Sequence, residues 1–262
     1  MAQKGKVYFI GAGPGDLDLL TIKAKRLIET SDVIIYADSL VNPGVEKMAR
    51  AGAKIHRSST LTLEEIVNIM VEAVEEGKMV ARLHTGDPAL FSAVHEQRAL
   101  LEQNGIDYEI VPGVSSVFAA AATLKAELTL PGISQTVILT RLEGRTPMPP
   151  KEKIADLARH QATLAIFLST PQLSVIISQL KEGGYSQETP VAIVARASRP
   201  DEKIIRGTLG NIESQINGGD IDNPSIVLVG KALNPMLTKS GISPRSRLYD
   251  GSFAHGRRPA RK

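Results

Sequence analysis

Short apolar runs alternate with longer amphipathic stretches along most of the chain. Residues 7–10 read as a buried strand ending at Gly11, and 33–36, 54–56, 79–83 and 108–111 read as further strands, 54–56 a short one. Between them, 19–28, 43–50, 89–103 and 114–125 read as helices. A fifth helix follows Thr62, whose spacing to Glu65 fits a capping box and which is followed by Ile66, Ile69, Met70 and Ala73 on one helical face. Strand–helix alternation of this kind predicts an α/β domain, a mostly parallel sheet with helices on both faces. The Leu130-Pro131-Gly132 turn breaks the pattern and marks the expected domain boundary. Beyond it come a strand at 136–140, a polar loop, a helix at 151–159, a strand at 163–168 and a helix at 171–181. Strands at 191–195, 203–207 and 225–229 follow, the first two flanking Arg199-Pro200-Asp201 like a hairpin. The second half is therefore expected to be a mixed α/β sheet. The organisation predicted is an N-terminal domain over 1–130, a C-terminal domain over 131–235 and a basic tail over 236–262.

Charge changes this picture only at the end of the chain. The net charge is +3, but from Lys239 onward there are seven Lys or Arg and one acid, Asp250, so the tail carries +6 and the rest −3. Such a tail reads as a solvated arm or as one that meets an anionic ligand. A nucleic-acid-binding module built on it is the reading from another class. The acidic body and an aromatic share of 4%, with no tryptophan, count against stacking platforms for bases. The absence of cysteine excludes disulfides, thiolate metal sites and a cysteine nucleophile, and fits a cytoplasmic protein. The apolar run after Lys6 is too short for a signal peptide, and no run is long enough to span a bilayer, so no membrane association is expected. His56, His84, His95, His160 and His255 show no metal-ligand spacing, and no protein-bound metal is expected; His84 stands out because it opens a glycine turn.

Three glycine-containing turns each follow a strand: Gly11-Ala12-Gly13-Pro14-Gly15-Asp16, His84-Thr85-Gly86-Asp87-Pro88 and Pro112-Gly113-Val114-Ser115-Ser116. In an open α/β sheet such turns line one mouth at the carboxyl ends of the strands. The first begins like a dinucleotide fingerprint, but Asp16 stands where the third glycine belongs. Pro14 has no amide hydrogen for a pyrophosphate, and Asp16 would set a negative charge beside it. A nicotinamide oxidoreductase is thereby disfavoured, although Asp38 lies at roughly the right distance for a ribose. A phosphate-free ligand suits the loop better, and a tight turn without a ligand stays open. Ser115 and Ser116 start a helix and read either as caps or as ligand contacts.

Taken together, these turns resemble the tetrapyrrole methylases. The matching segments are 7–16, Gly86-Asp87-Pro88, 111–116, Ile166-Phe167-Leu168 and 224–230, in family order over nearly the whole chain. Within the family, the segments 36–43, 127–131, 134–141 and 246–250 are similar to the members that methylate C-11 of precorrin-4 on the way to cobalamin. The resemblance implies the two-domain tetrapyrrole methylase fold, a homodimer, and S-adenosylmethionine held between the domains. It implies cofactor contacts at Pro14, Gly86, Asp87, Leu90, Ser115, Ser116, Leu168, Ala197, Ser198, Pro224, Ser225 and Ile226. Ala197 departs from the glycine that relatives often carry. The substrate would be a polycarboxylate tetrapyrrole, precorrin-4 or its cobalt form, with uroporphyrinogen III or another precorrin as the alternative inside the family. Arginine forks suit its carboxylates, and Arg141, Arg145 and Arg247 are the candidates by their placement at a strand end, in the polar loop and in the tail. Methylating C-11 makes a quaternary carbon, so no residue is assigned as a base there. No nucleic acid partner is expected.

Overall fold

In the computed structural model the described residues are 5–144, 146–167, 172–216 and 224–239, with 246, 250, 252–254, 256, 258 and 259 beyond them. Contacts divide the chain into two units, Met1–Ala119 with Arg196–Asp201, and Ala120–Ala195 with Glu202–Lys262. The Leu130-Pro131-Gly132 turn falls in the connection between the two sheets.

The first sheet holds β1 (Lys6–Gly11), β2 (Val33–Tyr36), β3 (Lys54–Arg57), β4 (Met79–His84) and β5 (Tyr108–Val111) in the order β3-β2-β4-β1-β5. Every pairing in it is parallel. The inner strands β1, β2 and β4 are covered on both faces, which is why they read as apolar runs and not as alternation, whereas the edge strand β3 is mostly exposed. One face, with Val7, Phe9, Val33, Ile35 and Val80, packs against α2 (Leu63–Glu75) and α3 (Val94–Gln103). The other, with Ile10, Ile34, Tyr36, Ala81 and Leu83, receives Ala24, Leu27 and Ile28 of α1 (Ile22–Thr30). The capping box forms as the sequence predicts: Thr62 accepts from the Glu65 amide, and Glu65 accepts from the Thr62 amide at 2.7 Å.

Two helical expectations are corrected here. The helix expected over 89–103 begins only at Val94, because Phe91 and Ala93 take positive φ of 52° and 50°, outside helical space. The stretch 43–50 is a 3-10 helix over Pro43–Met48, started by Asn42 and the proline at its first position.

The second sheet holds β6 (Val137–Arg141), β7 (Thr163–Phe167), β8 (Pro190–Ala195), β9 (Lys203–Thr208) and β10 (Ser225–Val229), in the order β6-β7-β10-β8-β9. It is mixed, as expected: β6 and β7 are parallel, while β10 is antiparallel to β7 and β8, and β8 to β9. The β8–β9 hairpin forms around the Arg199-Pro200-Asp201 turn, with Ala195 opposite Lys203. Its core joins Leu164, Ile166, Val191, Ile193, Val227 and Val229 to α5 (Ile154–Ala158) and α6 (Leu173–Glu182). Helix α5 is shorter than the expected 151–159, because Pro149 and Pro150 set up a 3-10 turn over Pro150–Glu152 before it. Among the described residues no helix is long and apolar enough to cross a membrane.

The face of β4 that carries Val80 continues into two polar residues, Arg82 and His84, both 6% exposed. Arg82 holds three elements together through neutral acceptors. Its Nε donates to Gln97 Oε1 at 2.9 Å, and its Nη1 donates to Ser58 Oγ at 3.1 Å and the Ile35 carbonyl at 3.5 Å. Burial pulls its pKa down to about 10. His84 packs against the Phe9 ring at 5.9 Å, and among the described residues its Nε2 has no hydrogen-bond partner. Burial, reinforced by the Arg82 charge and opposed by the Ser92 backbone, pushes its pKa down to about 3.

A neutral buried imidazole couples stability to pH. The unfolded chain takes up a proton on His84 near pH 6.5, the folded chain only near 3. This contribution is therefore complete above about 6.5 and is lost as pH falls toward about 3. His84→Phe, which keeps a ring against Phe9 and cannot be protonated, is expected to flatten the fall of Tm between pH 7 and pH 4. Parallel Tm profiles for the two proteins over that window would contradict the assignment.

Candidate active site

The carboxyl ends of β1, β4 and β5 deliver the three glycine turns to one place. A side chain on Gly11 would put its Cβ 2.6 Å from Gly113 Cα and 2.7 Å from the Gly86 carbonyl oxygen. One on Gly113 would fall onto that same carbonyl and lie 2.7 Å from Gly11 Cα. The turns thus touch backbone to backbone. Gly13 and Gly86 then form an isolated antiparallel bridge, with amide-to-carbonyl distances of 3.2 and 2.8 Å. The Ala12 amide donates to the His84 carbonyl at 2.7 Å. Gly86 has φ +64°, a conformation that favours glycine, and a Cβ there would stand 3.6–3.9 Å from the Val114-Ser115-Ser116 backbone.

Asp87 fastens this arrangement. One carboxylate oxygen accepts from the Ala89 amide in its own turn at 2.8 Å. The other accepts from the Gly113 amide in the third turn at 2.9 Å. The Leu90 amide closes the turn on the Asp87 carbonyl. Ser115 is 4% exposed, and its Oγ accepts weakly from the Val117 amide at 3.5 Å at the start of α4 (Ser116–Leu124). Of the residues singled out in the sequence, Pro14, Gly86, Asp87, Leu90, Ser115 and Ser116 all lie on these three turns.

The segment Arg196–Asp201 belongs to the same unit. Ser198 Oγ accepts from the Asp16 amide at 3.0 Å, and Asn42 Nδ2 donates to the Gly15 carbonyl at 2.7 Å. Arg196 and Ser198 hold positive φ of 54° and 65° around the buried Ala197. Two non-glycine residues in that region mark a segment held by its surroundings. Asp16 itself caps the 3-10 turn Leu17–Leu19 by accepting from the Asp18 amide at 2.9 Å. Asp38, weighed in the sequence for its distance to a ribose, lies just beyond β2 and is bonded within the protein. Its carboxylate accepts from the Ser59 amide at 3.2 Å, and this bonding, with help from the Arg57 charge, holds it below the usual carboxylate range.

In the second unit, Ser225 and Ile226 are 6% and 1% exposed at the start of β10, opposite Ala195, Val194 and Phe167. Pro224 precedes them directly. Leu168, the remaining cofactor candidate, lies outside the described residues, as do the substrate candidates Arg145 and Arg247. Arg141 is described and is engaged by its own loop. Its Nη1 donates to the Leu142 and Thr146 carbonyls, both at 3.2 Å, and its Nη2 to those of Thr146 and Pro147 at 3.3 and 3.4 Å. This guanidinium organises the loop after β6. Among the described residues no group of three or more His, Cys, Asp or Glu is placed to hold a metal ion.

Asp87→Ala leaves two amides without their acceptor and is expected to destabilise the fold by about 1–3 kcal/mol in denaturant unfolding. Gly113→Ala, which drives a methyl into the Gly86 carbonyl, should cost at least as much. If Gly113→Ala unfolds at the same denaturant concentration as the unmodified protein, the turns do not meet as described.

Comparison with known proteins agrees with this geometry. The family model for tetrapyrrole (corrin/porphyrin) methylases matches residues 6–213. The chain is 52% identical over 262 residues to the cobalt-precorrin-4 C(11)-methyltransferase of Methanocaldococcus jannaschii, covering 100% of this chain and 99% of the relative. It is 46% identical over 252 residues to the precorrin-4 C(11)-methyltransferase of Mycobacterium tuberculosis, covering 96% and 98%. Among solved structures it is similar to a cobalt precorrin-4 methyltransferase of cobalamin biosynthesis, with a TM-score of 0.85, 48% identity and coverage of 88% and 96%. It is also similar to uroporphyrin-III C-methyltransferase from Thermus thermophilus in complex with S-adenosylhomocysteine, with a TM-score of 0.74, 27% identity and coverage of 88% and 94%. With glycine turns, sheet order and full-length similarity in agreement, the chain belongs to the tetrapyrrole methylases.

Proposed function

We propose that this protein transfers a methyl group from S-adenosylmethionine to C-11 of precorrin-4 or cobalt-precorrin-4 in cobalamin biosynthesis. The observation that carries the cofactor half is the engagement of the glycine-loop amides. Those of Ala12, Gly13 and Asp16 donate to His84, Gly86 and Ser198, and Pro14 has none. A pyrophosphate needs such amides open at a helix N-terminus. A sulfonium nucleoside without phosphates does not. Glycine at 86 leaves bare backbone beside Ser115 and Ser116, which suits close approach of a flat, polar ligand. The substrate half is supported by the full-length similarity to precorrin-4 methyltransferases.

The cofactor supplies an already activated methyl group on a sulfonium centre. The protein's task is therefore alignment, and holding two reactants in attack geometry supplies roughly 7–11 kcal/mol of a barrier. Pro14, Gly86, Asp87, Leu90, Ser115 and Ser116 form the cofactor wall in the first unit, with Ala197 and Ser198 beside them. Leu168 and Pro224 to Ile226 are the contributions of the rest of the chain. Asp87 acts through the backbone: by holding the Gly113 amide it keeps the third turn where the cofactor needs it. C-11 becomes quaternary and loses no hydrogen, so this reading assigns no base at that carbon. A homodimer, a cytoplasmic location and the absence of a resident metal belong to the same reading, cobalt entering only inside the substrate.

Incubation with S-adenosylmethionine and precorrin-4, with and without cobalt, tests it. Gain of one methyl by mass spectrometry, placed at C-11 by NMR, is the expected outcome, and the form that turns over identifies the substrate. Methylation of uroporphyrinogen III in place of both would move the protein to another branch of the family. Light scattering should return the molar mass of a dimer.

A further inference from the structure

We propose that Arg199 receives a carboxylate of the tetrapyrrole and is a specificity-determining residue of this site, an inference that rests on the function proposed above. Its side chain lies directly over the glycine loop. A Cβ on Gly15 would come within 2.9 Å of Arg199 Nε and 3.2 Å of its Cδ, so the glycine makes room for the arginine. Its Nη2 donates to the Leu40 carbonyl beyond β2, and its buried Nε has no hydrogen-bond partner among the described residues. Among the described residues no acid forms an ion pair with it. The acid in the same segment, Asp201, pairs with Arg196 at 2.6 Å. The segment thus sets a second cation against the loop, with a neutral carbonyl as its acceptor among the described residues. Partial burial, reinforced by the Arg196 charge and opposed by Asp201, lowers the pKa of Arg199, and an incoming carboxylate would relieve both effects.

Two observations favour the substrate over the cofactor as the source of that carboxylate. Gly11 and Gly13, at one end of the loop, abut Gly86 and Gly113, where most of the cofactor candidates of this unit gather. Arg199 lies at the other end, over Gly15, which is tied instead to Asn42 and the exit of β2. The ligands differ as well: S-adenosylmethionine carries one carboxylate, while the tetrapyrrole carries many. Planar guanidinium forks match carboxylates, and Arg141 already has four carbonyl bonds from its own loop.

The test compares the whole protein with Arg199→Met, which keeps an unbranched stem over Gly15 without the charge, and Arg199→Lys, which keeps the charge without the fork. Three quantities are measured: KM for the tetrapyrrole, Kd for S-adenosylhomocysteine by calorimetry, and Tm. Arg199→Met is expected to raise the tetrapyrrole KM roughly tenfold or more, the loss of one charge-assisted pair, with cofactor Kd and Tm little changed. Arg199→Lys should fall between, and the salt dependence of KM should flatten in Arg199→Met. An unchanged KM overturns the proposal. So does an equal loss of cofactor affinity, which would assign the carboxylate to the cofactor, or a fall in Tm matching the loss of both ligands, which would make Arg199 a structural strap. If the unmodified protein binds S-adenosylhomocysteine yet methylates neither form of precorrin-4, the functional reading fails on its own. Titration with uroporphyrin, a stable polycarboxylate tetrapyrrole, then decides Arg199 separately: weaker binding by Arg199→Met sustains its role, and equal binding ends it.

Discussion

Gly11, Gly86 and Gly113 meet where no side chain fits, and one carboxylate, that of Asp87, ties two of their turns together. Each turn leaves a different strand of a parallel sheet, so their meeting fixes the relative height of β1, β4 and β5 at the carboxyl edge. The sheet supplies the coarse placement through its register, Ile10 opposite Leu83 and Val111. The glycines convert that placement into contact, because only backbone without Cβ approaches so closely. Asp87 then makes the contact directional by accepting one amide from its own turn and one from the third. Pro88, directly after it, restricts Asp87 to extended backbone, which presents the carboxylate in a defined direction.

The same contact decides what the site can bind. Amides that donate to the neighbouring turn or to Ser198 are not open to phosphate oxygens. Asp16, which would repel a phosphate, serves as an N-cap. A loop that begins like a dinucleotide fingerprint has thus become a rigid shelf of carbonyls, glycine faces and short polar side chains. The polar pair Arg82 and His84 lies beneath the second turn on β4. Arg82 bonds to Gln97, Ser58 and the Ile35 carbonyl, which joins α3 and the ends of β2 and β3 to the shelf from below. Because those partners are neutral, the charge is solvated by fixed dipoles and not by an ion pair. Such an arrangement is costly to disturb, since removing one acceptor leaves a buried cation short of a partner.

Much of this was legible in the sequence, for reasons that differ from element to element. Strands covered on both faces produce uninterrupted apolar runs, so β1, β2 and β4 stand out. The Thr62 and Glu65 spacing announces α2 because capping is local. The β8–β9 hairpin was readable from its turn. What escaped reading was set by contacts distant in sequence. Phe91 and Ala93 carry positive φ without a glycine to signal it, so the start of α3 was set five residues early. The fastening role of Asp87 was not readable, because nothing local reveals that Gly113, far along the chain, supplies its second amide. The bonding of Arg141 within its own loop was not readable, because its acceptors are main-chain carbonyls, which no side-chain pattern records. Arg199 drew attention only as part of a turn, since its place over Gly15 depends on how the Arg196–Asp201 segment, from late in the chain, meets the first loop.

The arginines follow a common logic once their partners are known. Arg57 is held in a fork by Glu46, which also accepts from Tyr36. Arg82 is solvated by neutral dipoles, and Arg141 by the carbonyls of its loop. In each case the second partner lies close by and the guanidinium is saturated in a way that orders backbone. Arg199 breaks the series: among the described residues it has one neutral acceptor, a buried Nε without a partner, and a neighbouring cation. A folded chain tolerates an incompletely bonded cation at the edge of its ligand shelf when a ligand completes the bonding, as a substrate with many carboxylates does. The alternative, that stem packing over Gly15 alone keeps the arginine there, would be met equally well by an uncharged side chain of the same length. The charge itself then has to be explained by what arrives to meet it.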